Sequence, residues 1–530
     1  MRSTRPSHPP APARRWRAQV CLIAALSGLP APWLATPAAA QSALPALGES
    51  ASGDFSPAAE RNLGDSIMRE IRRDPDYLDD PVLLEQVRTI WTRLANAARQ
   101  RGEITPEMDA AFSWEPFLVR DRTVNAFALP GGFIGINLGL IAMTTSDDEL
   151  ASVLGHEMSH VTQRHIVRSI GQQQRLSMVA IASLILGVLA ASRAPQAAEA
   201  LIVGGQATSV QGQLNFSRDM EREADRVGYG VMTTAGYSPA GMSSMFEKLE
   251  QATHLNDDGS YPYLRTHPLT AERIGEAKAR MGVKALSIPV DPVHVLLRQR
   301  ARVLMDTRAA ALHPILADAS VAHTELTPLD QLARAYAAVL AAVALHDPKQ
   351  AAALLDLLRS RAQALAPALR EQVQRELLLL QAEVSLAALD RRGADAALAP
   401  LAADASRPVM LLRARRDLLP DTTTADCKFA AAALQTQVAR EPGDATSWQL
   451  LALAWRRLDQ PLRAVRAEAE ASAALGDLPG AIDRLRSAQK QIRASSRVDF
   501  VEASVIDSRL RAFERDLRRQ REENNGAQLR

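Results

Sequence analysis

Cysteine is almost missing from this chain: Cys21 and Cys427 are the two present in 530 residues. Cys21 lies in an N-terminal segment expected to be removed, which leaves Cys427 alone and excludes an internal disulfide framework even in an oxidising compartment. The remaining thiol is expected as a buried apolar filler. An excess of either charge is missing too. The 62 Lys and Arg residues face 60 Asp and Glu, and removing the five arginines of the N-terminal segment leaves 57. That balance predicts no nucleic-acid partner. The almost uncharged run 176–191 is about one turn too short to cross a bilayer as an isolated helix. Burial in the core is expected of it, with peripheral membrane contact as the alternative. Aromatic residues are scarce, at 4%. Ala and Leu dominate instead, and both enter helices at little cost, so the chain is expected to be mainly helical.

Length allows more than one domain. Residues 1–40 carry Arg2, Arg5, Arg14, Arg15 and Arg17 with no acid, then an apolar stretch from Val20 to Leu34, then Ala38-Ala39-Ala40. This is the pattern of a cleavable signal peptide, and it predicts export to the periplasm. Residues 41–57 are small and polar, a loose leader. From Ala58 to Arg101 apolar residues recur at three- and four-residue spacing, predicting two helices broken near Asp74-Pro75. TVNAFALPGGFIGINLGLI, from Thr123 to Ile141, predicts strand, tight turn, strand around Pro130-Gly131-Gly132. Ser146 with Glu149 three residues on predicts a capping box that opens the next helix. Gly204-Gly205 and Gly212 predict a loop before a second charged helix, and this α+β domain is expected over 58–290. Residues 293–510 change to Ala- and Leu-rich helices separated by short Asp, Pro or Gly breaks, a stack of tetratricopeptide-like hairpins that forms an α-solenoid. Trp448, Leu451, Ala452 and Trp455 share one helical face there, and Ala464 and Ala481 take similar places in two successive hairpin halves. Residues 511–530 are expected as a frayed, charged tail.

The chemistry is concentrated in two short segments. His156-Glu157-Met158-Ser159-His160 sets two imidazoles about 40° apart around a helix, so both can reach one metal ion. Glu157 falls beside them, where it can take a proton from an activated water and pass it to a leaving amine. A catalytic zinc needs a third ligand from elsewhere. Glu221-Arg222-Glu223-Ala224-Asp225 offers two carboxylates four residues apart on one face, one to bind metal and the other to orient a ligating imidazole. His165 would lie about 140° round a continuing helix, which argues against it as a ligand. The metzincin pattern fails, because the positions it needs hold Gln163 and Ile166.

HEMSHVTQRH, followed some sixty residues later by SRDMEREADRVG and preceded by NAFALPGGFIGINLGLI, resembles the zincin metallopeptidase family of HtpX, the CaaX prenyl proteases and the Oma-type mitochondrial proteases. Its soluble, exported, tetratricopeptide-bearing branch of BepA-like protease-chaperones is the most similar in architecture. The resemblance implies one zinc per chain held by His156, His160 and Glu221, with Glu157 and Asp225 as catalytic residues, Asp225 acting from beside the ligands. It implies that His267, in LRTHPLTAERI, is a regulatory group or fourth zinc ligand. It implies that the strand Asn125, Ala126, Phe127, Ala128 pairs with extended peptide substrate. It also implies an endopeptidase acting on misfolded or stalled envelope proteins, with a chaperone-like role and a partner in the outer-membrane protein assembly machinery. The alternative is a scaffold whose zinc site is gated shut.

Overall fold

The computed structural model describes residues 56–171, 182, 185–187, 217–254, 261–281, 290–319, 321, 325–494 and 499–528. The expected signal peptide, most of the leader, nearly all of 176–191 and the glycine loop lie outside them. The described residues belong to one compact unit, and no helix among them is long and apolar enough to cross a membrane.

Helix starts are written in the sequence. Ser56, Asp80, Thr105, Ser146 and Ser217 each accept a backbone N–H three residues on with their side chains, satisfying a donor that the first helical turn leaves unpaired. They open α1 (Pro57–Ile71), α2 (Pro81–Gln100), α3 (Pro106–Ala111), α5 (Asp147–Thr162) and α7 (Arg218–Thr234), with α4 (Leu138–Met143) and α6 (His165–Gly171) on either side of α5. The Ser146 cap forms as expected, but its reciprocal half does not. The Glu149 carboxylate accepts instead from the Thr145 N–H (2.7 Å), from Ser244 Oγ (2.6 Å) and from Lys248 Nζ (2.6 Å).

Four strands, β1 (Tyr77–Leu78), β2 (Glu115–Val119), β3 (Ala126–Leu129) and β4 (Phe133–Asn137), form one sheet in the order β1-β2-β4-β3. The expected hairpin is β3 and β4, antiparallel with Phe127 opposite Gly135. Its turn uses Gly131 and Gly132 at φ +77° and +85°, a conformation that side chains with a Cβ resist. The first of these strands begins at Ala126 and not at Asn125. Among the described residues β3 is an edge strand, and it lies against α5.

α8 (Ala240–His254), α9 (Pro262–Thr266) and α10 (Ala271–Met281) complete the first half. Among the described residues the second half consists of helices and their short connections. It runs through α11 (Pro292–Leu304), α12 (Ala309–Ala319), α13 (Pro328–Ala344), α14 (Pro348–Gln363), α15 (Pro367–Ala387), α16 (Arg391–Leu398) and a short 3-10 turn. It continues with α17 (Arg407–Asp417), α18 (Thr424–Arg440), α19 (Ala445–Arg457), α20 (Pro461–Ala474), α21 (Leu478–Ala494) and α22 (Phe500–Gln528). Consecutive helices pack as hairpins, α13 on α14 and α19 through α22 in series. Trp448, Leu451 and Ala452 are buried as their shared face predicts, with Trp455 partly so, and Cys427 is a buried free thiol. α22 runs from Phe500 into the charged tail as far as Gln528, with Phe513 buried and Arg509 Nη2 donating to Glu470 Oε2 at 2.6 Å.

The largest hydrophobic core does not stop at residue 290. It joins Leu94, Leu154 and Val231 to Leu297, Ala301, Leu379, Leu398 and Leu412. Arg300 and Arg407 tie the two halves together, each pairing with one carboxylate from each side of the junction. Arg300 donates to Asp80 (2.7 Å) and Glu383 (2.8 Å), and Arg407 to Asp79 (2.6 Å) and Asp444 (2.8 Å). His294 Nδ1 sits 2.8 Å from Asp147 in the first turn of α5.

Candidate metal centre

The site is made where α5 and α7 cross. Gly155 and Gly228 face each other there: a Cβ on Gly228 would lie 2.9 Å from the Gly155 carbonyl carbon and oxygen and from His156 N. Only glycine permits that approach. One residue beyond Gly155, His156 turns its Nε2 toward His160 Nε2 at 3.0 Å. From α7, Glu221 brings its carboxylate to 3.5 Å from both of these nitrogens. His267, just after α9, adds Nδ1 at 2.9 Å from Glu221 Oε1 and 3.4 Å from His156 Nε2. One donor atom from each of the four residues lies within 4.8 Å of all the others, and all four residues are buried.

These separations suit a metal. Ligands at about 2.1 Å in a tetrahedron stand about 3.4 Å apart. Glu221 Oε2 has no hydrogen-bond donor; Arg273 Nη1 approaches it to 2.9 Å as an ion pair outside hydrogen-bond alignment. Glu157 Oε1 is likewise buried without a hydrogen bond. Unmade bonds on buried carboxylates are costly unless a ligand completes them. The donor set, two imidazoles and a carboxylate with a third imidazole alongside, is one that divalent zinc accepts.

Behind the ligands stands a second layer of contacts. His156 Nδ1 is 2.9 Å from Asp225 Oδ1. Asp225 in turn takes Arg273 Nε and Nη2 at 2.7 and 2.9 Å. Glu157 Oε2 accepts the Ala128 N–H at 3.1 Å, and its other oxygen is 3.6 Å from His267 Nε2. Of the four residues expected to meet substrate, Ala128 alone reaches this cluster. Asn125 and Ala126 are buried, and the Phe127 ring packs edge-on against Phe117.

The electrostatics follow from burial and crowding. Burial disfavours charge on His156, but the carboxylates of Asp225 and then Glu221 outweigh it and push the ring up to about 10. Burial, with the His156 and His267 rings beside it, holds His160 well below the usual histidine range. Burial raises Glu157, and the neighbouring imidazoles only partly offset it. Glu221 goes the other way: burial opposes its charge, yet His267 and His156 pull it below the usual carboxylate range. Without metal, the site thus keeps positive charge of its own around Glu221.

Three participants escaped the sequence reading. Arg273 lies in the segment singled out for His267, but nothing in that stretch marks it as the partner of Asp225. Its burial at 4% exposure is the physical reason it must pair. His165 and Glu223 were missed because α5 does not continue through residue 165. It ends at Thr162, and Arg164 takes a left-handed φ of +53°, held by its bond to the buried Glu60 (3.1 Å). The kink swings His165 back, so its Nδ1 meets His160 Nδ1 at 2.9 Å and its Nε2 meets Glu223 Oε2 at 3.0 Å. His165 is not among the four converging residues, and the continuous helix on which its offset of about 140° rests ends at Thr162.

Residues 85–281 match the family described as Peptidase family M48. The "Beta-barrel assembly-enhancing protease" of Yersinia pestis is 35% identical over 243 residues, 46% of this chain and 48% of that protein. The "Mitochondrial metalloendopeptidase OMA1" of Arabidopsis thaliana is 32% identical over 195 residues, 37% of this chain and 36% of that one. The "Metalloprotease LoiP" of Escherichia coli K12 is 33% identical over 181 residues, 33% of this chain and 64% of that one. The chain spans about half the length of the beta-barrel assembly-enhancing proteases it matches.

Proposed function

From the premise that this chain carries a Peptidase family M48 domain over residues 85–281, we propose that it is an exported, zinc-dependent endopeptidase of the periplasm. Its substrates are misfolded or stalled envelope proteins. The observation that carries the catalytic part is the convergence of His156, His160 and Glu221 on one point, with the free oxygen of Glu157 beside it. His156 and His160 would hold the ion through Nε2 and Glu221 through its carboxylate. A zinc ion held there would supply Lewis acidity toward a scissile carbonyl and an attacking water. Glu157 does the proton work: Oε1 takes the proton from the water and delivers it to the leaving amine, while the Ala128 N–H steadies Oε2. Asp225, fixed by Arg273, accepts from His156 Nδ1 and leaves its Nε2 lone pair facing the point where an ion would sit. The edge of β3 lies next to the base and offers backbone pairing to an extended peptide, which binds without demanding one sequence.

The setting rests on the relatives' names and on the helical half. The Yersinia protein is named for enhancing beta-barrel assembly, and the tetratricopeptide-like hairpins after residue 292 offer a surface for a protein partner of the outer-membrane assembly machinery or for clients. The placement of His267 favours a second reading, because four buried donors close a site that catalysis needs open. In that reading the chain acts mainly as a chaperone or scaffold and His267 gates the metal. Zinc content and cleavage of an unfolded model protein distinguish the two, with wild type, Glu157→Gln and His267→Ala compared. Stoichiometric zinc, activity lost in Glu157→Gln and raised in His267→Ala support a gated peptidase. Bound zinc with no cleavage in wild type or His267→Ala overturns it in favour of the scaffold.

A further inference from the structure

His156 and His160 are oriented by different means. His156 faces a carboxylate directly, whereas His160 faces another imidazole, and that imidazole faces a carboxylate. We propose that His165 and Glu223 are positioning residues for His160, a relay that fixes which of its ring nitrogens carries the proton. The inference rests on the metal-centre reading above.

The polarity of the relay is determined at its outer end. An ionised carboxylate only accepts hydrogen bonds, so the proton between Glu223 Oε2 and His165 Nε2, 3.0 Å apart, belongs to His165. Arg168 Nη1, 3.1 Å from the same oxygen, favours the ionised form of Glu223. A neutral imidazole with its proton on Nε2 has a bare Nδ1. His165 Nδ1 therefore accepts, and the group 2.9 Å away, His160 Nδ1, must donate. His160 is left with a bare Nε2, the atom aimed at His156 Nε2 and Glu221. Asp225 produces the same result at His156 in one step. Both rings thus present lone pairs to one point, as a shared metal requires.

The fold builds this relay from local features. The left-handed turn at Arg164 swings His165 under His160, where it is fully buried. Glu223, two residues after Glu221, projects from another side of α7 and stays partly exposed. A single helix therefore serves both the inner and the outer end of the site.

The test is zinc affinity by chelator competition, together with the visible absorption spectrum of the cobalt(II)-substituted chain, for wild type and variants. His165→Phe keeps bulk and removes the relay. Its zinc dissociation constant is expected to rise about 10- to 100-fold, the usual cost of losing a group that orients a ligand, and its cobalt bands to shift. His165→Gln, whose amide can accept from His160 and donate to Glu223, is expected to recover most of the affinity and the wild-type spectrum. Glu223→Ala, at a partly exposed position that tolerates truncation, should weaken zinc binding less than His165→Phe, and the double variant should bind no worse than His165→Phe alone. Zinc affinity and cobalt spectrum unchanged in both His165→Phe and Glu223→Ala would overturn the relay. Wild-type protein that takes up no zinc would overturn the metal centre itself, before any variant is compared.

Discussion

The two halves of the molecule bury charge in different ways. After residue 292, and at the junction with the first half, buried and half-buried carboxylates are held by guanidinium groups: Asp80 and Glu383 by Arg300, Asp79 and Asp444 by Arg407, and Glu470 by Arg509. At the α5–α7 crossing, imidazoles crowd one another within 3.0 to 3.4 Å, and two carboxylate oxygens have no hydrogen bond. The guanidinium pairs are complete within the protein and dock helices; among the described residues the one buried oxygen left without a hydrogen bond in that half, on Glu376, stands beside Arg375 and not among imidazoles. The cluster at the crossing is incomplete and asks for a cation. This contrast separates buried charge that holds a fold together from buried charge that awaits a ligand.

The contrast is broken most sharply by Glu157→Gln. Turnover of an unfolded protein substrate should fall roughly 100- to 10,000-fold, the range for loss of a general base, with zinc retained. The metal-free variant should be no less stable than wild type, since burial already disfavours the charged Glu157. Arg407→Ala is the counterpart in the other class. It takes the cation from the buried Asp444, which keeps only the neutral donors of Ser447 and Gln437, and from Asp79, which keeps Thr446, and thermal or denaturant unfolding should show a loss of about 3 kcal/mol, with zinc stoichiometry unchanged. Loss of zinc without loss of stability in Arg407→Ala would erase the distinction. Gly228→Ala should cost about 1–3 kcal/mol by overpacking the helix crossing, and zinc affinity should fall with it, because His156 N is one of the atoms the new Cβ meets.

The gentlest probe is pH. His156 in the metal-free chain is raised to about 10 from its ordinary 6.5. A raised folded value contributes stability that is present in full below pH 6.5 and is lost as pH rises through about 10. Because zinc must displace this proton, zinc affinity measured by competition should increase with pH across the same window. Affinity that is flat from pH 6.5 to 9 would contradict the assignment of His156 Nε2 as a ligand.

Features that depend on local rules were legible before the fold was known. Ser146 marks the start of the helix bearing His156 and His160, the four-residue spacings put Glu221 and Asp225 on one face, and Pro130-Gly131-Gly132 places the hairpin turn. The missed features depend on tertiary placement. Arg273 becomes part of the site only because α10 docks against α7, and His165 only because the backbone reverses at Arg164. The hairpins after residue 292 were recognisable from their breaks and alanine faces. Their core running on through Leu297 and Leu412 into the first half was not, since helical periodicity tells which face is buried and not what buries it.

The central claim is one metal ion held by His156, His160 and Glu221. It is tested most directly by zinc stoichiometry after metal-replete purification of wild type, His156→Ala and Glu221→Ala, with circular dichroism confirming that each is folded. The account predicts one zinc per wild-type chain and its loss from both folded variants. A wild-type chain without zinc, or folded variants that keep it as tightly as wild type, would contradict it.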